Sequence, residues 1–409
     1  MSRIVIPGTA AAVAALLVLA GCTPSSDGTT QPAAEDRAPL TLSIGTLLPE
    51  TGALAAFGPA TEAAAELAAG DINNAKAGIT VTIAKADSAD ASTDTSITSA
   101  TTLVDDDKVS VIVGAISDNV SRKVLDQIVK AGVVQISPGN VSTDFTRAAD
   151  DGLYFRTSPS CVLEGDAMGR QIAADGASTL GIVYETGYCE PGLPEALSAA
   201  FERAGGKTVA KEAYSAGATD LSAQVTAVAA AKADAVVVVG GSGVASVPAL
   251  AAAKYAGPDI YFVGLPITDH STDIAAGAIT GSIASMPGLD ISKLDSFTDR
   301  LLDITPTLTD FSYAAETYDA VVLAALAALS AQSTKGADIA AALQEVSGGS
   351  GKGEVAGDFA AAAKVILAGG VVDYDGVSGP ITFDAKGDPQ GAAIGLYRYG
   401  KDNVFTRID

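Results

Sequence analysis

Apolar positions are arranged along this chain in two ways. The first is a single block, AAAVAALLVLAG, which begins at Ala10 and contains no charge. At about a dozen residues it is shorter than the roughly 20 that a membrane-spanning helix needs. The second begins near residue 40, where short apolar runs alternate with Ala-rich stretches of helical period. Runs at 40–49, 79–87, 109–116 and 133–138 read as strands, and the intervening 59–78, 93–107 and 117–132 as helices. ITVTIAKAD (79–87) alternates with period two, whereas VSVIVGAI (109–116) is continuously apolar, as a strand covered on both faces must be. Ser117 and Asp118 are N-cap candidates for the helix that follows. The rhythm resumes with strands at 180–185, 207–215, 234–241 and 260–265 and helices at 191–205, 219–232 and 244–256. Residues 310–345 read as helical, and 379–408 as turns and strands. Strand–helix repetition of this length predicts an α/β protein, with parallel sheets flanked by helices in two lobes over 40–157 and 180–280. Ligands of open α/β sheets sit beyond the carboxyl ends of the strands, so the crevice is expected between the lobes. No second apolar stretch reads as long and continuous enough to cross a bilayer.

The N-terminal block has the form of a cleaved export signal. Arg3 is the one charge before Cys22, and Leu19-Ala20-Gly21-Cys22 has the form of a bacterial lipobox. Residues 1–21 are therefore expected to be removed and the thiol of Cys22 to take a lipid; a plain secretory peptide is the alternative. Residues 22–39, rich in Ser, Thr, Pro and charge, are expected to form a disordered tether. This places the mature chain outside the cytoplasm, anchored to the outer face of the membrane. Such a compartment preserves disulfides. Cys161 and Cys189, left over after Cys22, point to one bridge, with two free thiols as the alternative.

Acidic residues number 48 against 25 basic, giving a formal charge of −23. A nucleic-acid partner needs basic patches and is excluded. Catalytic chemistry finds no support either. The sole histidine, His270, reads as a surface residue, and no G-x-S-x-G elbow accompanies it. The segment 240–244 lacks the third glycine of a dinucleotide loop, and no phosphate-loop lysine or zinc-type spacing occurs. Asp105-Asp106-Asp107 reads as a solvated helix end. No enzyme activity, cofactor or metal is expected.

Five segments in order resemble the leucine/isoleucine/valine-binding family of periplasmic solute receptors of ABC transporters. They are IGTLLPETGALAAFGPATEAAAELAAGDIN (44–73), VSVIVGAISDNVSRKVLDQIVKAGVVQISPG (109–139), YETGY (184–188), the stretch from Tyr313 through Tyr318 and Asp319, and SGPITFDAKGDPQG (378–391). The resemblance implies two Rossmann-like lobes joined by three crossings, of the type I periplasmic-binding fold. Lobe one would be 40–157 plus 285–378, and lobe two 158–284 plus 379–409. It also implies a receptor that closes on a small polar solute and hands it to an ABC permease. A branched-chain or related amino acid is the expected solute; an amide or urea-type solute, or a sensing lipoprotein, are the alternatives.

The implied site is carried over residue by residue. Ser117 and the turn after Ser137 match the family's holders of the solute's polar groups, which brings in Gly139, Asn140 and Val141, with valine in place of the family's threonine. Asp118 stands where a second serine is common; turned into the cleft it would repel a carboxylate and favour a cation or a neutral donor. Phe57, Tyr188 and Tyr313 match aromatic walls. Asp269 is the nearest acid to the position that receives an ammonium in the family. Cys161 and Cys189 fall in segments bordering the cleft.

Overall fold

The computed structural model describes residues 37–264, 270–288, 294–391 and 393–408. The signal segment, Cys22, the greater part of the tether and Asp269 lie outside the described residues. The early apolar runs build the first sheet. β1 (Leu40–Leu48), α1 (Gly58–Ala75), β2 (Ile79–Asp87), α2 (Thr95–Asp105), β3 (Val111–Gly114), α3 (Asp118–Lys130), β4 (Val134–Ser137), α4 (Thr143–Thr146) and β5 (Tyr154–Arg156) follow one another. The strands lie in the order β2-β1-β3-β4-β5, and every neighbouring pair is parallel.

The chain then passes to a second sheet through α5 (Cys161–Ala174), β6 (Thr179–Glu185), α6 (Gly192–Arg203), β7 (Lys207–Tyr214), α7 (Ser222–Ala230), β8 (Ala235–Val239), α8 (Val247–Ala252), β9 (Ile260–Val263) and β10 (Ile283–Pro287). It returns to the first lobe with α9 (Asp295–Ile304), α10 (Ala314–Ala331), α11 (Gly336–Val346), β11 (Glu354–Ala356), α12 (Phe359–Leu367), β12 (Val372–Gly376) and β13 (Gly379–Pro380). It ends in the second sheet with β14 (Ile394–Tyr399) and β15 (Phe405–Arg407), whose order is β15-β14-β10-β9-β8-β6-β7.

Each sheet is covered on both faces. Apolar residues of β1, β3 and β4 pack on one side against α1 and α10, and on the other against α2 and α3. Alanines dominate the facing surfaces of α1 and α10, which lets two long helices lie close without steric crowding. The second sheet is sandwiched between α5 and α6 on one face and α7 and α8 on the other.

Four expectations are corrected. α10 is long and apolar enough to cross a membrane by length and composition, but 78% of it is buried in the first lobe. Its apolar face all round is that of a core helix. The second sheet is not wholly parallel, because β14 runs antiparallel to β10 and to β15. A strand arriving from the other lobe without a crossover helix is free to pair in that sense. The lobe boundaries at 285 and 379 move: β10 extends to Pro287, and Ile381 and Phe383 remain in the first core, Phe383 against the Phe155 ring at 5.2 Å. His270 is buried, not superficial, with Nδ1 2.8 Å from the Asp273 carboxylate.

A buried ion pair fastens the C-terminal loop to the first lobe. Arg156 is fully buried, its Nε donates to Asp388 Oδ1 at 2.6 Å, and its Nη1 donates to the Ser142 carbonyl at 2.8 Å. Removing one partner leaves a buried charge uncompensated. Asp388→Ala is expected to cost about 3–5 kcal/mol in urea unfolding. Asp126→Ala, which opens an exposed pair with Lys130 at 3.9 Å, should cost less than ~0.5 kcal/mol. Equal losses in the two variants would refute the role given to Arg156.

Candidate functional site

The carboxyl ends of strands in both sheets carry most of the residues singled out above. In the first lobe, β3 ends at Gly114 and α3 begins after Ser117. Ser117 is extended and half-buried, and its side chain makes no capping bond to its helix. Its hydroxyl and the unpaired first N–H groups of α3 form a locally positive end. Asp118, one residue on, opposes that charge. Its Oδ1 accepts the N–H groups of Val141 at 3.0 Å and Ser142 at 3.4 Å, tying the start of α3 to the turn after β4. Burial pushes the Asp118 carboxyl above its ordinary range, against the pull of those N–H groups and of Arg122 and Arg156.

The turn itself is internally bonded. Ser137 donates to the Ala115 carbonyl at 2.7 Å, and its oxygen accepts from Gly139 N–H at 3.2 Å and Asn140 N–H at 2.9 Å. A side chain at Gly139 would fall 2.9 Å from the Ile116 carbonyl oxygen, so only glycine fits. Asn140 is fully buried, with its amide bonded to the Ile116 carbonyl at 3.0 Å and to the Tyr154 hydroxyl at 2.8 Å. Val141 packs against the second-lobe core, and its carbonyl accepts the Cys161 N–H at 3.1 Å. Gly139, Asn140 and Val141 thus frame the turn after β4.

The three aromatics stand differently. Phe57 meets Tyr313 edge to face at 5.3 Å. Tyr313 precedes α10 with φ of 62°, a left-handed conformation that costs a non-glycine residue about 1 kcal/mol or more. Tyr188 follows β6, and a side chain at Gly264, at the end of β9, would come within 2.4 Å of its hydroxyl. The same loop holds Cys189, whose sulfur is bonded to that of Cys161 with the Cα atoms 6.5 Å apart. Closing a loop over a separation of 28 residues contributes about 3–4 kcal/mol by chain entropy. It also fixes the Tyr188 loop to the first turn of α5.

That turn presents the acid that sequence reading missed. Glu164 is buried, and its Oε1 accepts the Ser285 hydroxyl from β10 at 2.8 Å. Burial raises its pKa from 4.5 to about 7. α5 was not legible as a helix because Gly165 and Gly169 lower its propensity. Both are required by packing: a side chain at either would lie within 2.7 Å of a backbone carbonyl of α6. The usable signal was Ser160, whose hydroxyl accepts the Val162 N–H as an N-cap.

A second acid, Glu316, lies on the first turn of α10. It lines a small cavity with Thr157, Pro159, Gly288, Gly391 and Ala393, residues of all three passages between the sheets. Enclosure raises its pKa to about 7, with Asp319 adding to the effect. The Asp118 and Glu164 carboxyls both push the Tyr188 and Tyr313 hydroxyls up. Burial comes first in each case: it drives the Tyr188 hydroxyl far above its ordinary range and Tyr313 up to about 12, and the carboxylates add to it. A groove of about 340 Å³ lined by Thr143, Arg147, Val162, Asp388 and Gln390 contains none of these residues.

Two helix-covered parallel-dominant sheets joined by three passages, with polar and aromatic groups at the strand ends, define a two-lobed binding protein. The family profile described as periplasmic binding protein matches residues 41–398, and the chain belongs to that family. The chemotactic signal transduction system substrate-binding protein BasB of Halobacterium salinarum is 28% identical over 296 residues, covering 70% of this chain and 69% of that protein. The leucine binding protein LivK of Thermotoga maritima has the same fold, with a TM-score of 0.64 at 17% identity, covering 90% of this chain and 98% of that one. A solute-binding protein of an R. palustris ABC transporter, in complex with 4-hydroxybenzoate, aligns with a TM-score of 0.66 at 16% identity, covering 90% and 96%.

The raised Glu164 carboxyl makes a prediction of definite sign. Between 4.5 and about 7 the folded state holds a proton that the unfolded chain has released, so stability falls as pH rises through that window. Glu164→Gln should flatten the fall and, above the window, exceed the parent by about 2–3 kcal/mol. Parallel stability–pH curves for parent and variant would mean that Glu164 ionises as an exposed group does.

Proposed function

We propose that this chain is the extracytoplasmic solute receptor of an ABC importer, taking a small polar solute between its two lobes. The observation that carries the reading is the position of Ser117 after β3 and of Tyr188 after β6, at the carboxyl ends of strands in the two sheets, with Tyr313 at the start of α10, in a chain of this family. Such walls, aromatic with a few placed polar groups, are what small-solute sites use. Closure of the lobes on the solute provides the form that a permease recognises. A branched-chain or related amino acid is the first class to test. It is the class expected from the sequence, and one structural neighbour is a leucine binding protein. A second reading, a sensor that reports solute to a signalling partner, is favoured by the chemotactic role in the name of the Halobacterium relative.

The receptor is proposed to be held at the membrane by lipid on Cys22. Cys22→Ala should release it from the membrane fraction and abolish incorporation of radiolabelled fatty acid; retained label would refute the anchor. The solute is sought by thermal shift of the full chain against amino acids, amines, amides, urea and small carboxylates. A solute at 100 times its Kd adds about 2.7 kcal/mol of stability. Tyr188→Ala and Tyr313→Ala should each weaken binding at least about tenfold. Undiminished affinity in both variants would place the site elsewhere.

A further inference from the structure

The two lobes touch at a point away from the three passages that join them. Thr143 opens α4 in the first lobe, and Gly192 opens α6 in the second. A Cβ on Gly192 would lie 2.5 Å from Thr143 Cγ2 and 3.2 Å from its hydroxyl oxygen. Gly192 lies outside the left-handed region, so its backbone conformation suits any residue. Glycine also lowers the propensity of the helix that it opens. What excludes a side chain here is Thr143, on the other lobe.

Both sides of the contact are held firmly. In the first lobe, Asp118 accepts the N–H groups of Val141 and Ser142, and Arg156 donates to the Ser142 carbonyl at 2.8 Å. Thr143 is buried and β-branched, so its χ1 has little freedom, and Arg147 Nη2 donates to its hydroxyl at 3.3 Å. In the second lobe, the Leu193 N–H donates to the Cys189 carbonyl at 3.0 Å, and Cys189 is bonded to Cys161. Val141 links the two sides. Its side chain packs against the second-lobe core, and its carbonyl accepts the Cys161 N–H at 3.1 Å and lies 3.5 Å from the Cys189 sulfur. Packed surfaces of this kind meet in discrete arrangements and do not deform continuously.

We propose that the first-lobe turn of Val141 and Thr143 and the second-lobe corner of Cys161, Cys189 and Gly192 form a closing stop, whose meeting sets the angle at which the lobes come together. This rests on the receptor reading above, in which the lobes open and close around a solute. Gly192 is a positioning residue: its missing side chain sets how near the lobes come. The disulfide presents it, because the bond fixes the start of α6 to the start of α5. A side chain at 192 holds the lobes apart, and removing the facing atom of Thr143 lets them meet again.

The test is the distance between spin labels on genetically encoded side chains at Asp126 and Arg203, exposed residues of α3 and α6, measured by double electron–electron resonance on the full chain. Gly192→Ala and the larger Gly192→Val should shift the main distance increasingly, the second by about 3 Å or more. Thr143→Ser removes the Cγ2 atom that a Cβ at 192 would strike and keeps the hydroxyl. Added to Gly192→Ala, it should return the distance to within about 1 Å of the parent. No shift in either glycine variant that keeps the parent's circular dichroism, or a Gly192→Ala shift that Thr143→Ser does not reverse, overturns the stop and leaves the receptor reading intact. The receptor reading fails separately, if no solute of the thermal-shift panel stabilises the parent chain.

Discussion

Glu164 sits inside the second lobe with a serine hydroxyl for company, and the free energy of burying its charge sets the terms for the rest of the site. Placing it there takes several independent features of the chain. Ser160 starts α5, and Gly165 and Gly169 let that helix lie against α6. The Cys161–Cys189 bond then fixes the Tyr188 loop to the same turn. None of these features is explained by Glu164 alone. Together they tie the Tyr188 loop, at the end of β6, to the first turn of α5, and the ends of parallel strands are where open α/β sheets bind their ligands.

The first lobe answers with a different device. Its turn after β4 uses Ser137, Asn140 and Asp118 to satisfy its own backbone. That rigidity removes donors that a carboxylate would need. It leaves Ser117 at a helix start that its own side chain does not cap. Glu316, among the three passages between the lobes, lies where a change in lobe angle alters its surroundings.

Much of the fold was legible because its elements are strongly periodic. β2 matches the expected 79–87 run, and β1, β3, β4, β6 and β8 fall within a residue or two of their apolar stretches. The Phe57–Tyr313 contact, between residues more than 250 positions apart, has no local signal. What escaped had no local signal. β14 pairs antiparallel because of where the chain re-enters the second sheet, which no local pattern records. Asn140 sits in a polar turn and looks like a ligand group, yet its amide is consumed by the Ile116 carbonyl and the Tyr154 hydroxyl. Glu164 was hidden for the opposite reason: its helix contains two glycines that packing demands and propensity penalises.

The central claim is that a small solute is held between the two lobes by groups that both lobes supply. It is tested most directly by a crystal structure of the chain with the solute it carries from its native source. The account predicts a solute in contact with both lobes, with Tyr188 and Tyr313 among the residues that touch it. A solute touching one lobe alone, or lying away from both tyrosines, would contradict it.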